Sequence, residues 1–328
     1  MLVSDFNYDL PEERIAKFPP EERGSTRLLV INRKTGELKD SYYRNLDEFL
    51  NPGDVLIIND TKVMKSRLFA TLPDGREREL VVLERHNGDL HRVMYRGKLH
   101  DGDVLHVDDV VVTVKQILGN GIAEVECAED LADLADKYGN VPLPPYLHRD
   151  ATEEDVKRYQ TVWAKNTGSA AAPTASLNMT DDLLERLQKK GVIVKRLTLH
   201  VGLGTFLPIR SDNVEDHKMH SEWFSIPEDT LKAIKNAKRV VALGTTVART
   251  LEYYARTGKT EGEDDIFIYP GFEFKIVDAL LTNFHAPKST VLMLAAAFAG
   301  WDHLHKAYDH AVAEKYDFLS YGDSTFIC

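Results

Sequence analysis

The alternation of strand-like and helix-like segments from residue 152 onward constrains the fold of this 328-residue chain more than any other feature. Apolar residues recur at every second position over 192–199, which is typical of a β-strand. Further strands are predicted at 27–32, 55–58, 240–244 and 266–269, and helices at 152–163, 180–187, 227–238 and 308–316. Because βαβα alternation covers both faces of a sheet with helices, it predicts a three-layer α/β/α domain with a mainly parallel sheet.

Residues 68–145 have a different character. Short β-type runs, separated by Gly, Asn and Asp turns about every ten residues, predict a small antiparallel barrel or sandwich. Gly119-Asn120-Gly121 is a hairpin signal, and one helix is predicted at 129–138. We therefore expect two domains: a discontinuous α/β domain formed by 1–67 and 146–328, and an inserted all-β, barrel-like domain at 68–145.

Composition and charge exclude several classes of protein. The net charge of −11 argues against a general nucleic-acid binder, although Lys and Arg outnumber Asp and Glu over 62–98. That local excess could recruit a polyanion or could be a solvated surface. Two cysteines are too few for a disulfide framework, and no apolar run reaches the ~18 residues of a membrane span. With no signal-peptide pattern at the N-terminus, we expect a cytoplasmic protein.

A glycine-rich turn followed by a polar cluster is the first candidate site. The strand at 192–199 leads into Gly202, Gly204 and Thr205, where backbone N–H groups can approach a ligand without interference from a Cβ atom. The segment EDHKMHSE at 215–222 then supplies His217, His220 and Glu222. These side chains could transfer protons, hold a metal or pair with one another, and their spacing is not that of a zincin helix.

Gly244-Thr245-Thr246 leaves a predicted strand and enters the helix that carries Arg249. Free N–H groups and hydroxyls at a positive helix end suit a carboxylate, a phosphate or a ribose hydroxyl. The simpler alternative is an N-cap by threonine. No Walker P-loop or GxGxxG motif occurs, so ordinary NTP or NAD binding is disfavoured.

Two further segments carry candidate proton-transfer groups. In 283–287, NFHAP, the proline places His285 in a loop that we expect to lie between two helical segments, where it is a general base or a cap. Asn283 precedes it. In 320–323, SYGD, Asp323 follows the last helix in a glycine turn, and the alternative is a turn without chemistry.

These segments together resemble the S-adenosylmethionine:tRNA ribosyltransferase-isomerases, the family that builds epoxyqueuosine on tRNA. The similar motifs are DFNYDLP at 5–11, DVLIINDTKV at 54–63, RYQTVWA at 158–164, AAPTA at 171–175, HVGLGTFLPI at 200–209, EDHKMHSE at 215–222, GTT at 244–246 with Arg249, the long run at 269–300 and FLSYGD at 318–323. The resemblance covers both flanks of the chain and the 68–145 section only loosely.

The resemblance implies a three-layer α/β domain with an inserted β-barrel, and a reaction that moves and isomerises the ribosyl part of S-adenosylmethionine onto 7-aminomethyl-7-deazaguanine in the tRNA anticodon. S-adenosylmethionine is then a co-substrate, with no tightly bound cofactor and no metal, and a monomer is expected. The candidate proton-transfer residues are His285, His220, Glu222 and Asp323. The candidate cofactor-binding residues are Gly202, Gly204, Thr205, Gly244, Thr245, Thr246, Arg249 and Asn283, and the candidate RNA contacts are Lys62, Lys65 and Arg67.

The chain departs from the family pattern at a few positions. Lys62 and Lys65 stand where Arg and Pro are usual, and Ser176-Leu-Asn178-Met replaces Gly-Leu-His-Phe. The alternatives are therefore a non-catalytic paralogue that binds RNA or a nucleoside, and a metal hydrolase built on His217 and His220. We further expect the glycine turn after Val201, the threonine pair after Gly244 and the His285 loop to meet at one cleft.

Overall fold

The computed structural model describes residues 1–83, 89–119, 121–202, 204 and 209–328. In this part of the chain the strands form a nine-stranded sheet, a closed six-stranded barrel and a two-stranded pair. The strands are β1 Arg27–Ile31, β2 Leu38–Tyr42, β3 Asp54–Asn59, β4 Thr61–Val63, β5 Arg67–Thr71, β6 Glu77–Val82, β7 Leu90–Arg96, β8 Val104–Val107, β9 Val110–Gly119, β10 Ile122–Cys127, β11 Asn166–Ser169, β12 Ile193–Leu199, β13 Glu222–Ser225, β14 Arg239–Leu243, β15 Glu261–Asp264, β16 Ala279–Asn283 and β17 Ser324–Ile327.

Helices cover both faces of the large sheet. The α-helices are α1 Leu131–Tyr138, α2 Glu153–Arg158, α3 Asp181–Lys189, α4 Glu228–Lys235, α5 Thr245–Thr257, α6 Thr290–Ala299 and α7 Trp301–Ala313. Short 3-10 helices occur at Val3–Phe6, Glu12–Arg14, Tyr43–Glu48, Pro145–Leu147, Thr174–Ser176 and Val214–Asp216. Across the ranges described above, no helix combines the length and the apolar character needed to cross a membrane.

The sheet has a parallel centre and antiparallel edges. Its order is β15-β13-β12-β3-β14-β16-β17-β1-β2, and the neighbouring strands from β12 to β16 run parallel. The pairs β15/β13, β13/β12, β16/β17 and β1/β2 are antiparallel. The predicted α/β/α unit with an inserted barrel is confirmed, and the mainly parallel character holds for the centre of the sheet.

Strand β3 shows why the unit has three layers. All six of its residues are buried, and successive side chains point to opposite faces of the sheet. Val55 and Ile57 join the apolar core beneath α5, α6 and α7. Leu56 and Ile58 join a second core, beneath α3 and the 3-10 helix Tyr43–Glu48. The continuous apolar run of one strand therefore contributes to two cores.

The barrel has its own core, to which a helix also contributes. Its strands close in the order β10-β7-β6-β5-β8-β9, and alternate residues such as Leu80 and Val82 point inward. Helix α1 adds Leu131 and Leu134 to that core. Asn120 of the predicted hairpin lies outside the described residues, while β9 and β10 on either side of it pair antiparallel. The boundaries at 68 and 145 stay a prediction.

Several sequence predictions about local structure were wrong. Residues 266–269 form no strand, and the edge position belongs to the polar β15. The loop that carries His285 follows strand β16 instead of a helix, because a five-residue segment with only three apolar residues shows no clear period. The last helix spans Trp301–Ala313 instead of 308–316, whereas the turn predicted at 320–323 is present and leads into β17. Helix α2 ends at Arg158 and does not reach residue 163.

Candidate active site

A cleft of about 420 Å³ opens beyond the C-terminal ends of β14 and β16. This is the edge at which open α/β sheets bind ligands. Its walls come from the segment after β11, the start of α5, the loop between β16 and α6, and the turn before β17. The lining residues are Val3, Tyr146, Ala172, Pro173, Thr174, Ala175, Val201, Ile209, Gly244, Thr245, Thr246, Thr282, Asn283, Phe284, His285, Ala286, Pro287, Lys288, Ser289, Val291, Leu319 and Ser320. The surface is mainly apolar, with several hydroxyl groups.

Two helices begin at this cleft. Gly244 precedes α5 with φ of 101°, a conformation that favours glycine, and Thr245 and Thr246 form the first turn. Ser289 caps α6 by accepting a hydrogen bond from the N–H of Leu292 at 3.2 Å. Each helix contributes a partial positive charge at its N-terminus. The cleft therefore offers a positive potential to the anionic part of a ligand.

His285 lies in the wall of the cleft as an uncharged imidazole. Its Nε2 atom is 3.0 Å from the hydroxyl of Thr282. Its backbone N–H donates to the hydroxyl of Tyr308 at 3.0 Å, and the hydroxyl of Tyr8 donates to its carbonyl oxygen. Burial lowers the pKa of His285 to about 3, because a charged ring is disfavoured away from water. At neutral pH the ring is in its proton-accepting form.

Asn283 and Lys288 add polar groups to the same wall. The side-chain amide of Asn283 donates to the carbonyl oxygen of Asp323 at 3.4 Å, and the residue is 2% exposed. Its Oδ1 atom is buried and accepts no hydrogen bond from the described residues, so it can accept one from a ligand. Lys288 is exposed, and its φ of 58° is held by a backbone hydrogen bond to Phe6 at 2.9 Å.

A buried ionic cluster lies beside the cleft. Arg249 on α5 contacts Glu222 at 3.2 Å and Asp264 at 3.2 Å, and its guanidinium also donates to the carbonyl oxygen of Asp264 at 2.8 Å. Glu222 accepts a hydrogen bond from the N–H of Gly202 at 2.8 Å and lies 3.3 Å from Nε2 of His220. The cluster thereby ties the predicted glycine turn to α5.

The charges within this cluster determine its protonation. Burial alone raises the pKa of Glu222, but the charge of Arg249 and the hydrogen bond from His220 outweigh it, so the pKa lies below its usual value. Burial raises the pKa of Asp264 against the opposing charge of Arg249. Glu222 is therefore held ionised by its partners, which suits a structural anion better than a general acid.

Comparison with known proteins gives the family. Residues 3–327 match the family described as queuosine biosynthesis protein. A relative from Pelodictyon phaeoclathratiforme, named S-adenosylmethionine:tRNA ribosyltransferase-isomerase, is 54% identical, and the similarity covers 100% of both chains. The chain belongs to the queuosine biosynthesis protein family. The resemblance inferred from the sequence motifs is thus confirmed.

Other members of the family are similar over the same length. A Francisella tularensis protein with the name S-adenosylmethionine:tRNA ribosyltransferase-isomerase is 43% identical, with 100% of each chain covered. The crystal structure of S-adenosylmethionine tRNA ribosyltransferase from Thermotoga maritima is 34% identical, with a TM-score of 0.58, and the match covers 99% of this chain and 100% of that chain. The whole chain, including the barrel, therefore has the organisation of this family.

In this queuosine biosynthesis family member, the cleft gathers part of the predicted site. Gly244, Thr245, Thr246, Asn283 and His285 line it, so the threonine pair and the His285 loop lie at one cleft. Of the third segment, Val201 lines the cleft, but Gly202 and Gly204 of the glycine turn after it do not. Sequence reasoning missed Lys288, Thr282 and Tyr146. The first two lie within five residues of His285 in sequence, so a search of its neighbourhood would have found them.

Other predicted residues lie outside the cleft lining. Glu222 and Arg249 border a gap of about 20 Å³ that also touches Thr245 and Thr246. Gly204 packs against the ring of His220, since a Cβ on Gly204 would lie 2.4 Å from that ring. Thr205 is outside the described residues. His217 meets the ring of Phe267 edge-on, and no group of three potential metal ligands occurs within the ranges that the structure covers.

The side chain of Asp323 forms hydrogen bonds with backbone groups. Its two carboxylate oxygens accept hydrogen bonds from the N–H groups of Arg27 at 2.6 Å and Asp317 at 2.7 Å. Burial raises its pKa to about 6, although these two N–H groups oppose the rise. The carboxyl group joins β1 to the turn before β17 and is absent from the cleft lining, which does not support a proton-transfer role.

Among the candidate RNA contacts, Lys62 on β4 is exposed, whereas the other two are half-buried and contact other groups of the protein. Lys65 donates to the carbonyl oxygen of Asp136 at 3.4 Å. Arg67 pairs with Glu79 at 3.0 Å and with Asp150 at 2.9 Å. Lys62 is therefore the member of this trio best placed to meet a phosphate.

Asn178, one of the departures from the family pattern, has a structural role. It is 2% exposed, and its side-chain amide donates to the carbonyl oxygen of Gly322 at 3.2 Å. An imidazole N–H at this position could make the same hydrogen bond. The amide can therefore replace a histidine that only donates a hydrogen bond here.

Proposed function

We propose that this chain is an S-adenosylmethionine:tRNA ribosyltransferase-isomerase. It transfers and isomerises the ribosyl part of S-adenosylmethionine onto 7-aminomethyl-7-deazaguanine in the anticodon of tRNA, and releases adenine and methionine. The observation that carries the proposal is full-length similarity, at 43–54% identity, to proteins that bear this name. The cleft supports it, because its volume of about 420 Å³ lies within the range typical of small-molecule sites.

The cleft suits a ligand with one charged end and an extensive apolar surface. We assign the carboxylate of the methionyl group to the N-termini of α5 and α6, with Lys288 at the rim of the same cleft. The buried Oδ1 atom of Asn283 is an acceptor for an amino group of either substrate. Hydroxyls of Thr245, Thr246 and Thr282 are available to the ribose.

The chemistry needs a base, a leaving group and a positioned amine. The sulfonium acidifies the hydrogens on ribose C5′, so a nearby base can remove one of them and adenine can depart. Of the four candidate proton-transfer residues, His285 is the one in the cleft wall, and it is uncharged. We therefore assign the proton-accepting role to His285. Holding the amine of the tRNA base near the ribose is then a matter of positioning.

The cluster around Arg249 supports this site without touching the ligand. By joining Gly202 and Glu222 to α5, it fixes the helix whose N-terminus borders the cleft. We assign Glu222, His220 and Arg249 to this positioning role. The cytoplasmic location, the monomeric state and the absence of a tightly bound cofactor stay predictions.

The test is incubation of the protein with S-adenosylmethionine and tRNA that carries the aminomethyl base, followed by mass spectrometry of the tRNA nucleosides. We expect an epoxyqueuosine product and an equal amount of free adenine. The same tRNA with an unmodified guanine is the control and should give neither. Tight binding of the modified tRNA with no product would reject the enzyme and favour the non-catalytic RNA-binding paralogue.

A further inference from the structure

A second cavity, of about 450 Å³, lies where the barrel meets the α/β unit. Junctions between domains are a common place for ligand sites. One side is formed by β5, β6 and β7 of the barrel, and the other by the segment 142–150, which leads from the inserted domain into the α/β unit before α2. The lining residues are Arg67, Glu79, Val81, Met94, Tyr95, Arg96, Pro142, Leu143, Pro144, Pro145, His148, Arg149 and Asp150.

The second cavity shares a wall with the cleft. Pro145 and His148 line the cavity, while Tyr146 between them lines the cleft. A 3-10 helix at Pro145–Leu147, ended by His148 with φ of 50°, turns these side chains to opposite sides. The hydroxyl of Tyr146 bonds that of Ser320 and holds the wall in place. One segment of chain therefore separates the two spaces.

Three arginines are among the described residues that line the cavity, although the net charge of the chain is −11. Arg67 is held by Glu79 and Asp150 at 3.0 and 2.9 Å, and Arg149 by Asp155 at 2.6 Å. Arg96 differs: its side chain is 66% exposed, and its carboxylate contact within the described residues, with Glu79, is 3.7 Å long. Arg96 therefore remains available to an incoming phosphate.

The remaining lining suits a nucleobase. Val81 and Met94 provide apolar surface from the barrel strands, and the prolines of the segment 142–145 add to it. Single-stranded RNA is generally recognised by splayed bases that stack on aromatic rings or guanidinium planes and form hydrogen bonds at their edges. Arginines can supply such planes in this cavity. The carboxylates of Glu79 and Asp150 are acceptors for those edges.

We propose that this second cavity binds a nucleotide of the tRNA next to the one modified in the cleft, with Arg96 on its phosphate. The proposal rests on the proposed function, since it requires a tRNA strand whose target base enters the cleft. Because a single chain segment separates the two spaces, consecutive splayed nucleotides can occupy both. The barrel then selects the RNA, while the α/β unit performs the reaction.

The chain offers a matched control for the test. Arg92 lies on β7 with Arg96, is 53% exposed and contacts Glu124 at 3.6 Å, yet it does not line the cavity. We expect Arg96→Ala to raise KM for tRNA about tenfold and to reduce the slope of log KM against log salt by about 0.7, as for one lost phosphate contact on a single strand. Arg92→Ala should leave both near wild type.

Two further measurements make the outcome decisive. KM for S-adenosylmethionine and kcat should change less than about twofold in Arg96→Ala, and Arg96→Lys should restore the salt slope, since it keeps the charge. Equal behaviour of Arg96→Ala and Arg92→Ala overturns the proposal, as does a change confined to KM for S-adenosylmethionine. If the wild-type protein forms no modified tRNA, the proposed function fails; if it does and the two variants match, only the second site fails.

Discussion

Replacing Arg249 by methionine tests the physical reasoning about the buried cluster. Arg249 is 5% exposed and lies between Glu222, at 3% exposure, and Asp264, at 0%. Methionine keeps much of the side-chain length and removes the charge. Two carboxylates are then left without the guanidinium that both contact, beneath the helix that forms one side of the cleft.

The expected loss of stability is large. Removing one partner from a buried ion pair costs about 3–5 kcal/mol, because a charge is left without its counter-ion in a poorly solvated place. The lost hydrogen bond from Arg249 to the carbonyl oxygen of Asp264, at 2.8 Å, adds to this. By contrast, an exposed pair such as Arg76 with Asp74 is screened by solvent and contributes little.

The loss should depend on pH with a defined sign. In the wild type the lowered pKa of Glu222 adds stability that is present at neutral pH and is lost in acid. Burial is the largest influence on both carboxyl groups in the wild type. Once the charge of Arg249 is removed, we expect burial to raise both pKa values above those of the unfolded chain. The native variant then binds protons that the unfolded chain releases, so the variant becomes less stable as pH rises.

Urea unfolding followed by tryptophan fluorescence at pH 5, 6.5 and 8 measures this effect. The loss of stability in Arg249→Met relative to wild type should be greater at pH 8 than at pH 5, whereas the exposed control Arg76→Met should stay close to wild type at every pH. Adding Glu222→Gln and Asp264→Asn to Arg249→Met should make the loss of stability relative to wild type independent of pH over this range. A deficit below about 1 kcal/mol, or one independent of pH, would refute the structural account of the cluster.

Three further predictions concern the cleft. Lys288→Met should raise KM for S-adenosylmethionine about tenfold, as expected for a lost charged contact of about 1.5 kcal/mol, and should leave the KM of the decarboxylated analogue unchanged; an equal effect on both co-substrates would reject the carboxylate contact. His285→Gln should lower kcat about 100-fold or more with little change in KM. Burial lowers the pKa of His285 to about 3. The pH profile of wild-type kcat should therefore show no ionisation of this group between pH 6 and 9. An ionisation in that range that disappears in His285→Gln would contradict the assignment. Asn178→His should change initial rates by less than about threefold, because either side chain can donate to Gly322, and a gain above about tenfold would identify this position as a proton-transfer site.

The architecture could be predicted where a segment has a distinctive pattern. In β3, four consecutive apolar residues at 55–58 mark a strand buried on both faces, and the structure puts Val55 and Ile57 in one core and Leu56 and Ile58 in the other. Regular turn spacing identified the barrel in the same way. Short elements without a distinctive pattern could not be recognised: β16 has three apolar residues followed by Thr and Asn, and β15 is polar along its length.

The position of the cleft could also be predicted, from a junction between a strand and a helix. Gly244-Thr245-Thr246 follows a buried strand and begins a helix, and such junctions lie at the ligand-binding edge of an α/β sheet. The antiparallel edges of the sheet do not disturb this, because the strands from β12 to β16 remain parallel. The second cavity was not predictable, since it forms between segments far apart in sequence.

The roles of the ionisable residues depend on partners that the sequence does not reveal. His285 and Glu222 were equal candidates for proton transfer, yet one lines the cleft uncharged and the other is an anion held between a guanidinium and a backbone N–H. The role of Glu222 depends in part on Asp264, which ends a polar edge strand and belongs to no recognised motif. Because Asp264 shares Arg249 with Glu222, the guanidinium is engaged on both sides and has little left to offer a ligand. The chemistry of the site therefore falls to the groups in the cleft wall, and His285 is the imidazole among them.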